Sequence, residues 1–192
     1  EVPIDGSGIK VGVIDSGIDY THAMFGGEGT PEAYKNNDPS VLHSDIFPNK
    51  KVVGGIDLVG SAYNSSASDF AKRLPQVDFN PLDEGGHGTH VAGTISGLGD
   101  SHNTYTGVAP GASLHAIKVF GKHGTTSDFV VIRGLEYAVD PDHDLDPADR
   151  LDVVNLSLGS SYGKPYVLYE KAIRNLVKAR ITPVISAGNS GA

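Results

Sequence analysis

Cysteine is absent from all 192 residues, which excludes disulfide bridges, thiolate catalysis and cysteine-ligated zinc. The absence suits a reducing cytosol and a bridge-free secreted protein equally well. Basic residues are few: 15 Lys and Arg stand against 23 Asp and Glu, a net charge of -8. No stretch interleaves Lys and Arg with aromatics, so nucleic acid is not expected as a partner. No apolar run approaches the length of a membrane span. The opening EVPIDGSGIK has neither the basic start nor the apolar centre of a signal peptide, so any presequence is expected to be gone. The length suits one domain with a real core, or a large piece of a bigger one.

What is present is a series of short Val- and Ile-rich runs: KVGVID (10 to 15), LHAIKVF (114 to 120), LDVVNLS (151 to 157) and ITPVISA (181 to 187). Each reads as a buried strand. Between them apolar residues fall at helical spacing, Val131, Ile132, Leu135, Ala138 and Val139 in one stretch and Tyr169, Ala172, Ile173, Leu176 and Val177 in another. Thr126 and Ser127 stand where the first helix needs an N-cap, and Pro165 suits the first turn of the second. Strands alternating with helices predict an α/β fold, a parallel sheet with helices on both faces. Ligands of such sheets bind beyond the carboxyl ends of the strands, which directs attention to Asp15, Ser157 and Gly188-Asn189. Residues 21 to 86 are rich in Gly, Asn, Asp, Pro and Ser and read as a long surface excursion, with only KKVVGGIDLVG (50 to 60) extended.

The chemistry carried by these positions is open when each is taken alone. Asp15 ends an apolar run before Ser-Gly, where a carboxylate can orient a histidine, bind a metal or close a turn. DEGGHGTHVAG (83 to 93) places His87 and His90 on one helical face behind two glycines. As zinc ligands they lack the Glu and the i,i+4 spacing of HExxH, and no third ligand is implied. His90 reads as a hydrogen-bonded packing residue, whereas His87 at the helix start is placed for proton transfer. Asn189 in ISAGNSG is either a turn residue or an amide donor aimed into the cleft.

Together the segments resemble the subtilisin family of serine peptidases over nearly the whole chain. VGVIDSGID resembles the family's aspartate strand and GGHGTHVAGT its histidine helix. GVAPGASLHAIKVF resembles the following turn and strand, DVVNLSLG the substrate-cleft strand and VISAGNSG the oxyanion segment. The order Asp then His matches that of subtilisin. The resemblance implies that Asp15 orients His87, that His87 is the general base, and that Asn189 donates to the oxyanion. It further implies that Ser157, Leu158 and Gly159 wall the pocket for the residue before the scissile bond, and that Gly124 and Thr125 form an edge pairing with an extended peptide or protein substrate. An extracellular location follows from the same resemblance. No metal ligand and no cofactor is required for the chemistry.

The family's Gly-Thr-Ser-Met-Ala stretch is not found in these residues. GTTSD (124 to 128) precedes the Asn, and Ser157 belongs to another motif, so neither is assigned as nucleophile. The chain is therefore expected to be the N-terminal portion of a catalytic domain, incomplete at its C-terminal end and inactive alone. Its expected partner is the remaining C-terminal part of the same polypeptide. A non-catalytic peptide-binding module that keeps the cleft without its serine is the alternative. A dinucleotide site is disfavoured because the glycines of GSGIKVG precede their strand. Arg180 stands where the family has Gly after a helix, predicting a strained or differently capped end. Asp140, Asp142 and Asp144 offer oxygens of the kind calcium takes, but the EF-hand Gly and Glu are missing. A solvated acidic loop is the expectation, with structural calcium the other reading.

Overall fold

The computed structural model describes residues 4–100, 104–160 and 166–189. Five strands form one parallel sheet: β1 (Lys10–Asp15), β2 (Val52–Asp57), β3 (Ser113–Lys118), β4 (Val153–Leu156) and β5 (Thr182–Ile185), in the order β2-β3-β1-β4-β5. The helices are α1 (Pro31–Lys35), α2 (His87–Ser96), α3 (Asp128–Tyr137) and α4 (Val167–Lys178). Alternation along the strands separates two cores. Val11, Val13, Leu114 and Ala116 pack with Ala92 of α2 on one face, while Ile14 and Ile117 pack with Val131 and Leu135 of α3 and Leu176 of α4 on the other. Helices thus cover both faces, as the strand and helix alternation predicts. No helix of the described residues is long and apolar enough to cross a membrane.

Residues 21 to 86 are more than a surface excursion. Their β2 is a full member of the sheet, and Phe47, Ile56, Leu58 and Tyr63 are buried in its cores. The buried Tyr20 hydroxyl donates to Asn80 Oδ1 at 2.6 Å and accepts from Asn37 at 3.0 Å, while Asn80 Nδ2 donates to the carbonyls of Asp38 and Val41. The polar composition misleads because these Asn side chains replace backbone pairing in loops that have none. Gly54 and Gly55 weaken the strand signal, yet both are required: a Cβ on Gly54 would stand 2.8 Å from the His115 ring, and one on Gly55 2.3 Å from the Ala116 carbonyl.

Helix ends follow the sequence in position more than in detail. Ser127 caps α3 with extended backbone but without a side-chain bond, and Pro165 lies outside the described residues. Beyond α4, Arg180 takes φ 64°. Its N–H donates to Val177 O at 3.0 Å and that of Ile181 to Leu176 O at 2.9 Å, the paired bonds of a Schellman end with arginine in the glycine position. Left-handed backbone costs an ordinary residue about 1 kcal/mol. Arg180→Gly should therefore raise stability by about that amount in urea unfolding; an unchanged or lower midpoint contradicts the strain.

His115, on β3, is buried with no partner for Nδ1 among the described residues, and burial together with the charge of Lys10 lowers its pKa to about 4. An unfolded histidine titrates near 6.5, so between those values the unfolded chain binds more protons than the native one. The neutral ring's contribution is complete above pH 6.5 and is lost as pH falls to about 4, up to roughly 3 kcal/mol. Denaturant unfolding of the wild type and His115→Leu at pH 7 and pH 4.5 should show a smaller acid loss in the variant. Identical losses would exclude His115 as the cause.

Candidate active site

The site begins with strand register. Asp15 of β1 and Asp57 of β2 both stand opposite Lys118 of β3 in register, at the carboxyl end of the sheet. All three are buried, at 1%, 1% and 0% exposure. Lys118 Nζ donates to the Ser16 carbonyl at 3.1 Å and lies 3.9 Å from Glu84. Burial raises the pKa of Asp57 to about 7, against the pull of Lys118 and of N–H bonds from Gly60 and Val59. A lysine inside an apolar strand is itself a sequence signal for a buried acid nearby, since such a charge is kept only when paired.

Helix α2 starts against the turn after β1. Asp83 organises it: Oδ1 accepts from the N–H groups of Gly85 and Gly86 at 2.8 and 2.9 Å, and Oδ2 from the N–H and hydroxyl of Thr89 at 2.9 and 2.6 Å. These bonds satisfy N–H groups that a helix start leaves free. Asp83, 2% exposed, carries no role in the sequence reading, although Asp-x-Gly-Gly before a helix is a turn signature that could have revealed it. Gly88 supplies the closeness. A Cβ there would lie 2.2 Å from the Gly17 carbonyl and 3.1 Å from Asp15 Cβ, and its N–H donates to Ser16 Oγ at 2.8 Å.

This contact places His87 Nδ1 2.7 Å from Asp15 Oδ1, which also accepts from the Ser16 N–H at 2.7 Å. A carboxylate oxygen can only accept, so Nδ1 carries the proton and Nε2 is left free to take one. The His87 side chain is 61% exposed at the cleft while that of Asp15 is 2% exposed beneath it. Burial lifts the Asp15 carboxyl above its usual range, opposed by the bonds from His87 and Ser16. The arrangement is an imidazole oriented by a buried carboxylate and exposed at the cleft, which is what general-base catalysis requires.

The cleft above this pair, about 270 Å³, is lined by Asp15 and His87, by Phe120 to Gly124 on one side, and by Ser157, Leu158 and Gly159 on the other. Ser157 Oγ accepts from Asn155 Nδ2 at 2.9 Å, and Ser186 Oγ donates to Leu158 O at 3.1 Å, tying that wall to β4 and to the segment after β5. Thr125 does not line the cleft. Its N–H donates to Asn64 Oδ1 at 3.3 Å and its carbonyl accepts from the Ser65 N–H at 3.0 Å, so the 64–66 segment already occupies the main-chain groups assigned above to a peptide. Asn189 is exposed and is likewise not among the lining residues; it follows β5, an edge strand against which no further described strand packs. His90 is exposed on α2 rather than packed, because the helix buries its small-residue side, Gly88, Ala92 and Ser96. A larger groove of about 600 Å³ between α3 and α4 is lined mainly by apolar side chains such as Phe129, Ile132 and Leu168 and holds no paired acid and base.

In the acidic loop the carboxylates that converge are Asp140, Asp142 and Asp149, with oxygens within 4.8 Å of one another. Asp144 is not in that set. Positive φ at His143 and Leu145 turns the chain, the Asp144 carboxylate accepts from the N–H of Asp146, and the 3-10 turn Pro147–Asp149 brings Asp149 back. Loop N–H groups of Asp142, Asp144 and Leu145 donate to the three converging carboxylates. These bonds hold the cluster as an acidic turn whose three carboxylates converge.

A family model described as Subtilase family matches residues 6–192. Subtilisin DY of Bacillus licheniformis is 33% identical over 187 residues, 97% of this chain and 49% of that protein. The minor extracellular protease Vpr of Bacillus subtilis (strain 168) is 36% identical over 97% of this chain and 18% of its own length. The major intracellular serine protease of the same organism is 32% identical over 98% of this chain and 45% of its own length. The chain spans about half, or less, of the length of these relatives.

Proposed function

Because this chain belongs to the subtilase family, we propose that it forms the Asp-His part of a serine endopeptidase whose nucleophilic serine is supplied by sequence outside these 192 residues. The observation that carries the reading is the 2.7 Å bond between Asp15 and His87, formed across 72 positions of sequence. In the proposed reaction the serine oxygen attacks a peptide carbonyl while Nε2 of His87 takes the hydroxyl proton. Asp15 holds the tautomer and stabilises the imidazolium. The imidazolium returns the proton to the leaving amine as the C–N bond breaks, and water, deprotonated by the same nitrogen, then releases the acyl group as a carboxylic acid and regenerates serine. Ser157, Leu158 and Gly159 wall the pocket for the residue before the scissile bond, and Asn189 is the proposed oxyanion donor. No cofactor enters the chemistry.

The remaining C-terminal part of the polypeptide is the proposed partner. Exposure of Val184 (49%) and Ile185 (53%) on the edge strand β5 supports this, since apolar side chains on an unpaired edge are a ready docking surface. The 192-residue chain alone should hydrolyse no peptide, and any turnover by it contradicts the assignment. Relatives include both an extracellular and an intracellular protease, and the proposed location is extracellular. The decisive test is labelling of the complete polypeptide with a serine-directed fluorophosphonate. The wild type should label and His87→Ala should not; equal labelling of both removes His87 as the base.

A further inference from the structure

Resting on that reading, we infer that the cleft selects substrates with an acidic side chain on the acyl side of the scissile bond, through Lys122 and His123. The chain carries a net charge of -8 with histidines counted neutral, yet on the same count the lining of the cleft is neutral, one Asp against one Lys, with two histidines beside them. Among the described residues that line it the one carboxylate is Asp15, which is buried and bonded to His87 and Ser16, whereas Lys122 and His123 are neighbours in the chain, exposed, and line the cleft together with Leu158 and Gly159. Lys122 is a permanent cation and His123 becomes one on protonation.

The rim carrying these two groups is braced. Lys122 N–H donates to Ser61 O at 2.9 Å on one flank. On the other, Asn64 and Ser65 hold both main-chain groups of Thr125, Ser65 and Ser66 reach its hydroxyl at 2.8 and 2.7 Å, and Ser65 Oγ donates to Thr126 O at 2.8 Å. Gly121 and Gly124 let the strands of this brace approach: a Cβ on either would fall 2.3 Å from Tyr63 O or Asn64 Cγ. A cation on a fixed backbone loses less freedom on meeting a carboxylate than one on a mobile loop, so its attraction survives as selectivity.

The side chains themselves are exposed and therefore screened, which sets the expected preference at about 2- to 5-fold rather than thousands. The test compares eight-residue peptides differing only by Asp, Ala or Lys at the second to fourth residues before the cleaved bond, using kcat/KM with the complete polypeptide. At one or more of these positions Asp should exceed Ala and Ala should exceed Lys. The Asp-to-Ala ratio should shrink in 0.5 M salt, where the screening length is only a few ångströms. In Lys122→Gln/His123→Gln the ratio should approach one, and in Lys122→Glu/His123→Glu it should invert. Ratios within one variant cancel any loss of folded protein. Equal rates for the three peptides, with hydrolysis intact, overturn the inference and leave the peptidase reading standing. If no peptide is cleaved, the peptidase reading fails and equilibrium binding of the same peptides decides: tighter binding of the Asp series supports the inference, equal binding refutes it.

Discussion

Replacement of His87 by alanine in the complete polypeptide should lower kcat by about 10⁴- to 10⁶-fold, a range taken from triad peptidases as a class, with KM little changed. The split follows from the geometry. His87 Nδ1 is held by Asp15, and in the proposed mechanism the ring's other nitrogen takes the nucleophile's proton, a contact that strengthens only as the proton moves. The substitution leaves the residues of the cleft walls in place, so ground-state affinity is expected to persist. Asp15→Asn should fall by about 10⁴-fold, because an amide can offer its N–H where the carboxylate accepts and so favours the wrong tautomer. A steady-state assay that finds His87→Ala within tenfold of the wild type, on protein with unchanged circular dichroism, ends the general-base assignment.

Gly88→Ala is expected to damage stability and catalysis together. The added carbon would sit 2.2 Å from the Gly17 carbonyl, a backbone atom that cannot rotate aside, so the first turn of α2 must withdraw from β1. Forcing extra volume into such a contact costs about 3 kcal/mol. The withdrawal also strains the Ser16 to Gly88 bond and stretches the Asp15 to His87 pair by on the order of 1 Å, enough to lower kcat about 10²-fold. Gly86→Ala is the informative comparison: Gly86 has φ 85° with open space around its would-be Cβ, so the variant carries left-handed strain of about 1 kcal/mol without displacing the helix. Equal kcat for the two alanine variants would show that helix approach does not set the geometry of the pair.

The acidic turn and the end of α4 illustrate two kinds of partial legibility. Arg180 in place of a helix-ending glycine is readable as strain because one position's backbone demand is local, and the left-handed φ of 64° is that demand met by the wrong residue. Asp140, Asp142 and Asp144 read as an evenly spaced set, yet Asp149 takes the place of Asp144, since a loop's path depends on bonds that no spacing rule contains.

Local pattern alone determined the parallel α/β architecture, four of the five strands to within a few residues, the small-residue character of α2, and Asp15 and His87 as members of one family's motifs. These are consequences of periodicity and of short-range turn chemistry, which act over a few residues. The tertiary structure decided what happens between distant segments. It paired the extended 50–60 piece into the sheet as β2, set Lys118 opposite both Asp15 and Asp57 in register, gave Asp83 the helix start to organise, and turned Thr125 toward Asn64 and Ser65. Each of these depends on sheet register or on close approach of backbones, where a single methyl group in the way changes the outcome. Such contacts join residues tens of positions apart and leave no periodic trace in the chain.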